Sequence, residues 1–241
     1  MADNDDRLED YYRRVMGDKP RERPVTRRAP SAGEPISSPG KPANPAPTWR
    51  ERAGSSLRTG LLFAIGYVAV IWGVHLINVF AFGGGLTQYG IRPLDTSSLI
   101  GVLFSPVLHV SFGHLISNTV PGAIFSFLIG LSGARAWWGT TAFVVLIGGL
   151  GTWFFGGVGT VHVGASLLVY GWLAYLLVRG IFNRSIGQII LGVVLGIAYS
   201  GLLWGVLPIN EGVSWQAHLF GALGGVAAGV VFGERRRSDR D

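Results

Sequence analysis

The chain has 241 residues, of which 49% are hydrophobic and only 14% are charged, and its formal net charge is +6. An average soluble domain carries about a quarter charged residues, so the composition disfavours a soluble globular protein. The excess positive charge lies in tails that also hold acids, and no basic stretch alternates with aromatic residues, so nucleic-acid binding is not indicated. The sequence contains no cysteine, which excludes disulfides, thiolate metal ligands and a cysteine nucleophile.

Both ends of the chain differ in composition from its middle. Residues 1–58 are rich in Pro, Ser and charge and poor in apolar residues, which predicts a disordered cytoplasmic tail. The beginning, MADNDDRLED, is acidic and no apolar stretch follows soon, so no cleavable signal peptide is expected. Residues 234–241 form a short basic tail, also predicted to be cytoplasmic.

Six apolar segments lie between the tails, and a helix of about 20 apolar residues is long enough to cross a bilayer. Soluble core helices do not explain them, because six such segments would leave no polar faces for a soluble surface. The sequence therefore predicts an all-α polytopic membrane protein with a six-span domain over residues 59–233. The predicted spans cover residues 59–80, 111–131, 136–156, 164–180, 185–208 and 214–233.

The basic residues predict the orientation of these spans. An even number of spans places both termini on one side, and the short connections around Arg135 and Arg179 fall on that side too. The opposite loops hold only Arg92, Asp95 and Glu211 as charged residues. The excess of arginine on one side therefore predicts that both termini are cytoplasmic.

Two further features concern the packing of the spans. The connection over residues 81–110 is too long for a simple turn, and its apolar part contains Pro106, so we expect a re-entrant or in-plane element. In the last span Gly221, Gly225 and Gly229 are four residues apart. They share one helix face, and such a stripe of small residues lets helix backbones approach closely in lipid.

Polar residues interrupt three of the predicted spans near their external ends. His114 and Asn118 are one turn apart on the second span, Ser166 is near the head of the fourth, and His218 lies about one turn into the sixth. Polar groups within spans are costly and usually face the bundle interior, so a shared depth predicts a shared site. Bonding between helices that only holds the bundle together is the alternative for each residue taken alone.

A serine, two histidines and an asparagine suit acyl transfer. A serine hydroxyl needs a base to take its proton, and histidine is the usual base. The oxyanion of the tetrahedral intermediate needs donors, which Asn and His side chains and the N–H groups at a helix start can supply. The spans contain no Asp or Glu, so a dyad is predicted and a full Ser-His-Asp triad is excluded.

These residues resemble the signature motifs of the rhomboid family of intramembrane serine proteases. The family pattern of His, four residues, His, three residues, Asn is matched by His109, His114 and Asn118. Its nucleophile motif Gly-x-Ser-Gly is similar to the run 164–167, GASL, and its Ala-His-x-x-Gly pattern is matched over residues 217–221. Tyr170 matches a family tyrosine that stacks on the base. The resemblance covers residues 59–233.

The resemblance implies a role for each of these residues. Ser166 would be the nucleophile and His218 the general base. The backbone N–H of Ser166, His114 and Asn118 would hold the oxyanion. The supporting residues would be His109, which would brace the first loop or the site, with Gly164, Tyr170 and Gly221. No metal or organic cofactor is implied.

The family's substrates are single-span membrane proteins cut near the outer end of their transmembrane segment. The resemblance therefore implies transmembrane protein substrates and contact with the lipid bilayer, without nucleic acid. With no organelle-targeting segment visible, a bacterial plasma membrane is the predicted location. The sequence does not predict the oligomeric state.

One residue departs from the family pattern, and it leaves an alternative function open. Leu167 stands where the family has Gly after the nucleophile, where a side chain could narrow the pocket or the helix contact. The alternative is a catalytically inactive relative that binds membrane clients without cutting them. His75 and His162 match no motif and are predicted to be interfacial or loop residues.

A transporter is not favoured, since the spans show no clear repeat and no buried charge. Zinc intramembrane proteases are excluded because the sequence has no His-Glu-x-x-His motif, and aspartyl proteases because it has no pair of buried aspartates.

Overall fold

The protein is built from helices that follow the predicted spans. The computed structural model describes residues 48–209 and 212–238, with the backbone alone for residues 49 and 233–238. Within this part the all-α class is confirmed, since the strand pairing in it is one isolated bridge between Ile91 and His162. The long helices are α1 (Trp49–Phe82), α2 (Phe112–Gly130), α3 (Ala134–Phe155), α4 (Ser166–Phe182), α5 (Ile186–Ala198) and α6 (Trp215–Ser238).

Helix α1 begins earlier than the apolar pattern indicates. The hydroxyl of Thr48 accepts a hydrogen bond from the backbone N–H of Glu51, and the Glu51 carboxylate accepts one from the backbone N–H of Thr48. This reciprocal capping box satisfies two donors at the helix start. The helix therefore includes residues 49–58, which corrects their assignment to a disordered tail. Residues 1–47 of the predicted tail, and Glu211, lie outside the described residues.

Not every helix is long enough to cross a bilayer. Among the described residues, α1, α2, α3 and α6 each have the length and apolar composition of a span. Helix α5 qualifies together with the 3-10 helix Ser200–Val206, but the two are bent by 70°. Helix α4 is apolar and shorter, with 17 residues. The described residues therefore hold four or five spans by this criterion, and the number six stays a prediction.

The bend after α5 corrects the expectation of one continuous helix over residues 185–208. The break falls at Tyr199, whose φ of −112° and ψ of 23° are not helical. Its ring packs edge-on against Phe125 of α2, with the ring centroids 4.8 Å apart. Ser200 and Gly201 follow the break directly, and Gly/Ser pairs are a common site of sharp helix kinks. The bend turns the 3-10 helix away from the axis of α5.

Helix α4 lies at the centre of the bundle, and its residues from Leu167 to Leu176 are all buried. Helix α6 packs closely against it because glycines face the contact. A Cβ atom on Gly221 would lie 2.5 Å from the carbonyl oxygen of Leu167, and one on Gly225 would collide with the carbonyl oxygen of Gly171. The predicted close approach along this glycine stripe is confirmed.

Large apolar side chains cover the outside of the bundle. Phe80 on α1 is 80% exposed and Ile186 on α5 is 76% exposed. Water would disfavour so much exposed apolar surface, whereas the acyl chains of lipid accommodate it. The outer faces of these helices are therefore in contact with the bilayer.

The long connection between α1 and α2 is folded, as its length predicts. It contains two 3-10 turns, the one-turn helix Gly101–Phe104 and a third 3-10 turn at Ser105–Val107. Val102 packs closely against Gly149 of α3. A Cβ atom on Gly149 would lie 2.6 Å from Cγ1 of Val102. The indole N–H of Trp153 donates to the carbonyl oxygen of Asp95 over 3.0 Å. The connection is thereby held against α3.

Candidate active site

A cavity of about 770 Å³ brings together the polar residues of three helices. Such a volume lies within the range of small-molecule pockets. His114 and Asn118 reach it from α2, Ser166 and Tyr170 from α4, and His218 from α6. The cavity therefore joins residues that lie up to four helices apart in the sequence.

Ser166 is the first residue of α4, and the loop before it is held at two points. The backbone N–H of Ala165 donates to Nε2 of His109 over 3.3 Å. The backbone N–H of Gly164 donates to the carbonyl oxygen of Ser105 over 2.9 Å. Burial lowers the pKa of His109 to about 4, so its ring is neutral near pH 7 and its Nε2 lone pair can accept. His109 thus fixes the chain where Ser166 begins the helix.

Gly164 allows the ring of His114 to approach this loop. Its φ of +125° lies in a region that side chains disfavour. A Cβ atom here would also lie 2.5 Å from Cε1 and 2.6 Å from Nε2 of His114. A side chain at position 164, two residues before Ser166, would therefore displace the imidazole of His114.

Asn118 is held by contacts with α1 and with its own helix. Its amide Nδ2 donates to the carbonyl oxygen of His114 over 2.9 Å, and its backbone carbonyl accepts from the hydroxyl of Tyr67 over 3.0 Å. The Tyr67 hydroxyl occupies the space that a Cβ atom on Gly122 would need. Because an amide nitrogen carries two N–H groups, the second one can donate to a group bound in the cavity.

His218 is fixed by a ring contact and a hydrogen bond. Its imidazole stacks on the ring of Tyr170, with centroids 3.9 Å apart and planes inclined by 8°. Its Nδ1 lies 2.7 Å from the carbonyl oxygen of Gly205, in the 3-10 helix after α5. A carbonyl oxygen can only accept, so Nδ1 carries the proton and Nε2 presents a lone pair. This is the tautomer that a general base needs.

The Gly205 carbonyl is a site group that the sequence analysis did not identify. It supplies the acceptor that a carboxylate supplies in a Ser-His-Asp triad. A backbone carbonyl belongs to every residue, so no pattern of side chains distinguishes this one. Glycine is needed at this position because a Cβ atom would collide with the Tyr170 hydroxyl and lie 3.0 Å from Nδ1 of His218.

Leu167, which departs from the family pattern, points into the protein core. It is 2% exposed and is not among the residues that line the cavity. The Leu167 side chain packs against Gly148 of α3. A Cβ atom on Gly148 would lie 3.0 Å from Cγ of Leu167. The leucine is therefore accommodated by a glycine on the facing helix and leaves the cavity open.

This packing predicts the effect of restoring the family glycine. We expect Leu167→Gly to lower the thermal unfolding midpoint in detergent, because loss of a fully buried leucine side chain costs about 2–5 kcal/mol. Differential scanning fluorimetry of both proteins measures the shift. A variant as stable as the native chain and more reactive toward a serine probe would show that Leu167 obstructs the site.

The two histidines without a motif occupy different surroundings. His75 is 1% exposed within α1, and the edge of its ring contacts Phe112. It therefore lies within a helix and not in a loop, and α1 packs it toward α2. His162 lies in the loop before α4, as predicted, and it is 8% exposed. In the part of the chain described here, no three His, Asp or Glu side chains form a group that could hold a metal ion.

The helices and the cavity together define a multi-pass helical membrane protein whose spans enclose a polar site. The sequence model of the Rhomboid domain matches residues 96–235. Uncharacterized proteins of Mycobacterium bovis and Mycobacterium tuberculosis are 43% identical over 182 residues, which is 72% of this chain and 75% of theirs. One of Mycobacterium leprae is 41% identical, over 72% of each chain. No solved structure gives a significant match. The chain belongs to the rhomboid family.

Proposed function

We propose that the protein is an intramembrane serine endopeptidase that uses Ser166 and His218 as a catalytic dyad. The observation that carries this proposal is the cavity shared by Ser166, His218, His114 and Asn118. Family membership supports it, since rhomboid proteins are generally intramembrane serine proteases. The resemblance of the motifs assigns the nucleophile and the base.

The reaction begins with attack of the Ser166 hydroxyl oxygen on the carbonyl carbon of a peptide bond. Nε2 of His218 takes the hydroxyl proton as the new C–O bond forms, and the carbonyl π electrons move to oxygen. His218 then gives the proton to the leaving amine as the C–N bond breaks. Water hydrolyses the acyl-enzyme in a second round of the same steps. The Gly205 carbonyl stabilises the imidazolium by accepting from Nδ1.

Three donors are proposed to hold the oxyanion of the tetrahedral intermediate. The backbone N–H of Ser166 has no acceptor within the helix, because the first N–H groups of a helix lack an intrahelical partner. The ring of His114 and the second N–H of the Asn118 amide would supply the others. Donors fixed before the reaction stabilise the developing charge without reorganisation.

The role of Asn118 predicts a large loss of rate on substitution. We expect Asn118→Ala to lower kcat for cleavage about 10²–10³-fold, the usual effect of losing one oxyanion donor. Initial rates on a single-span substrate in proteoliposomes measure the change. Ser117→Ala is the matched control, since the hydroxyl of Ser117 donates to the same carbonyl of His114. An unchanged kcat for Asn118→Ala would exclude the amide as a donor.

The proposal extends to topology and substrates. Six spans over residues 59–233 would place both termini in the cytoplasm of a bacterial cell. The predicted depth of the site puts cleavage near the external face of the plasma membrane. The substrates would be single-span membrane proteins, cut at the outer end of their transmembrane segment.

A fluorophosphonate probe tests the proposal against the inactive alternative. An activated serine attacks the phosphorus of the probe and becomes covalently labelled, whereas an ordinary serine does not. We expect the full chain in mild detergent to be labelled at one residue, identified by mass spectrometry of the labelled peptide. A folded chain that is not labelled would favour a relative that binds membrane clients without cleaving them.

A further inference from the structure

His162 joins three segments that surround the cavity. It lies in the loop between α3 and α4, and its backbone pairs with Ile91 through two hydrogen bonds of 2.9 Å. This bridge fastens the loop before Ser166 to the connection between α1 and α2. The side chain of His162 lines the cavity and contacts its own loop and Ser214, the residue before α6.

The hydrogen bonds of the His162 ring identify its tautomer. Nε2 lies 3.0 Å from the carbonyl oxygen of Gly156 and 2.8 Å from the hydroxyl of Thr160. Because the carbonyl can only accept, Nε2 carries the proton. Nδ1 therefore accepts, and its partner is the hydroxyl of Ser214, 2.6 Å away. Burial lowers the pKa of His162, which favours this neutral ring.

Ser214 stands immediately before α6, the helix that carries His218. Its hydroxyl oxygen accepts from the backbone N–H of Ala217 over 3.3 Å, and its carbonyl accepts from the backbone N–H of His218 over 3.2 Å. Ser214 is thus the N-terminal cap of this helix. One hydroxyl serves both the cap and His162, since it donates to the ring while it accepts from the helix.

The bond between His162 and Ser214 connects the two segments that precede the dyad residues. His162 precedes Ser166 by four residues, and Ser214 precedes His218 by four residues. The bond therefore joins the two chain segments that lead directly into the two helices of the site. Loss of it would release the start of α6 from the loop that begins α4.

We propose that His162 is a positioning residue, which through Ser214 sets the distance between the Ser166 hydroxyl and the His218 ring. This role rests on the proposed function. It predicts that His162 affects the reactivity of Ser166 without contacting the reacting atoms. Ile91 also holds the loop through the backbone of His162, so we expect loss of the bond to affect the rate more than the fold.

A double-mutant cycle tests the role. We expect His162→Ala and Ser214→Ala each to lower the maximal rate of fluorophosphonate inactivation about 10–100-fold, with an unchanged half-saturating probe concentration. The double variant should be no slower than the slower single variant, because both substitutions remove the same bond. Additive losses would overturn the proposal. Val158→Ala, at an exposed position of the same loop, is the control and should react at the native rate.

Conservative variants separate the Ser214 contact from the other contacts of the ring. In His162→Asn the amide oxygen can take the place of Nδ1 and accept from Ser214, whereas in His162→Gln the amide reaches the place of Nε2. We expect the asparagine variant to recover most of the rate and the glutamine variant to recover little. The reverse order would assign the effect to Gly156 and Thr160 and overturn the proposal.

The outcomes for the native chain distinguish this role from the proposed function. A folded native chain that is not labelled overturns both. A native chain that is labelled no faster than His162→Ala and Ser214→Ala overturns the positioning role alone. Thermal unfolding in detergent identifies variants that do not fold. Where His162→Ala is one of them, the comparison of His162→Asn with His162→Gln decides, because both variants keep Ser214 and its cap of α6.

Discussion

Replacing Ser166 with alanine is expected to abolish both fluorophosphonate labelling and peptide cleavage. The hydroxyl supplies the attacking oxygen, and no neighbouring group in the proposed mechanism can replace it. In another serine protease, removal of the nucleophile or the base each costs about 10⁶ in kcat. The residual rate should therefore fall below detection in both assays.

His218→Ala is expected to give the same loss as Ser166→Ala, and the double variant should lose no more. Residues that act as one unit show such non-additive effects. The measurements are in-gel fluorescence after labelling and initial cleavage rates in proteoliposomes. Ser117→Ala is the matched control because this serine also lines the cavity, and it should be labelled like the native chain. Labelling of Ser166→Ala would assign the nucleophile to another residue.

Gly205→Ala is expected to lower kcat roughly 10³-fold or more, although it adds a single methyl group. The new Cβ would collide with the Tyr170 hydroxyl and lie 3.0 Å from Nδ1 of His218. Either the carbonyl or the tyrosine must move, and the base then loses its acceptor or its stacking partner. Loss of the correct tautomer of the base costs about 10⁴ in a Ser-His-Asp protease, which sets the upper end of the effect.

The kinetic pattern of Gly205→Ala identifies the cause. We expect kcat to fall with KM nearly unchanged, since the carbonyl acts on His218. Gly201→Ala is the control, because it lies in the same 3-10 helix and a Cβ atom there would meet nothing within 4 Å. Equal rates for the two variants would show that orientation by the Gly205 carbonyl does not limit the reaction.

Much of the architecture could be predicted because membrane insertion acts on local composition. A helix in lipid must satisfy its own backbone hydrogen bonds, so long apolar runs predict helices directly. The predicted spans at residues 111–131 and 136–156 match α2 and α3 to within a few residues. The glycine stripe of α6 likewise predicted a close helix contact, since small side chains let backbones approach, and the structure identifies α4 as the partner.

The start of α1 and the bend after α5 could not be predicted from the apolar pattern. The capping box at Thr48 extends α1 through polar residues that hydropathy assigns to a tail. At Tyr199 the chain leaves the helix beside Phe125, a residue more than two helices earlier. A contact of that kind depends on which helices are neighbours, and apolar composition does not specify neighbours.

By itself, the sequence determined the class of protein and the side chains available for chemistry, because hydrophobic length and motif spacing are local properties. It identified Ser166, His218, His114 and Asn118 as candidates from their depth and spacing. The tertiary structure decided that Leu167 packs beside Gly148, that the Gly205 carbonyl faces His218, and that His162 bonds Ser214. These contacts join segments distant in the chain, and one of them uses a backbone atom that every residue has. Only the folded arrangement of the helices selects such partners.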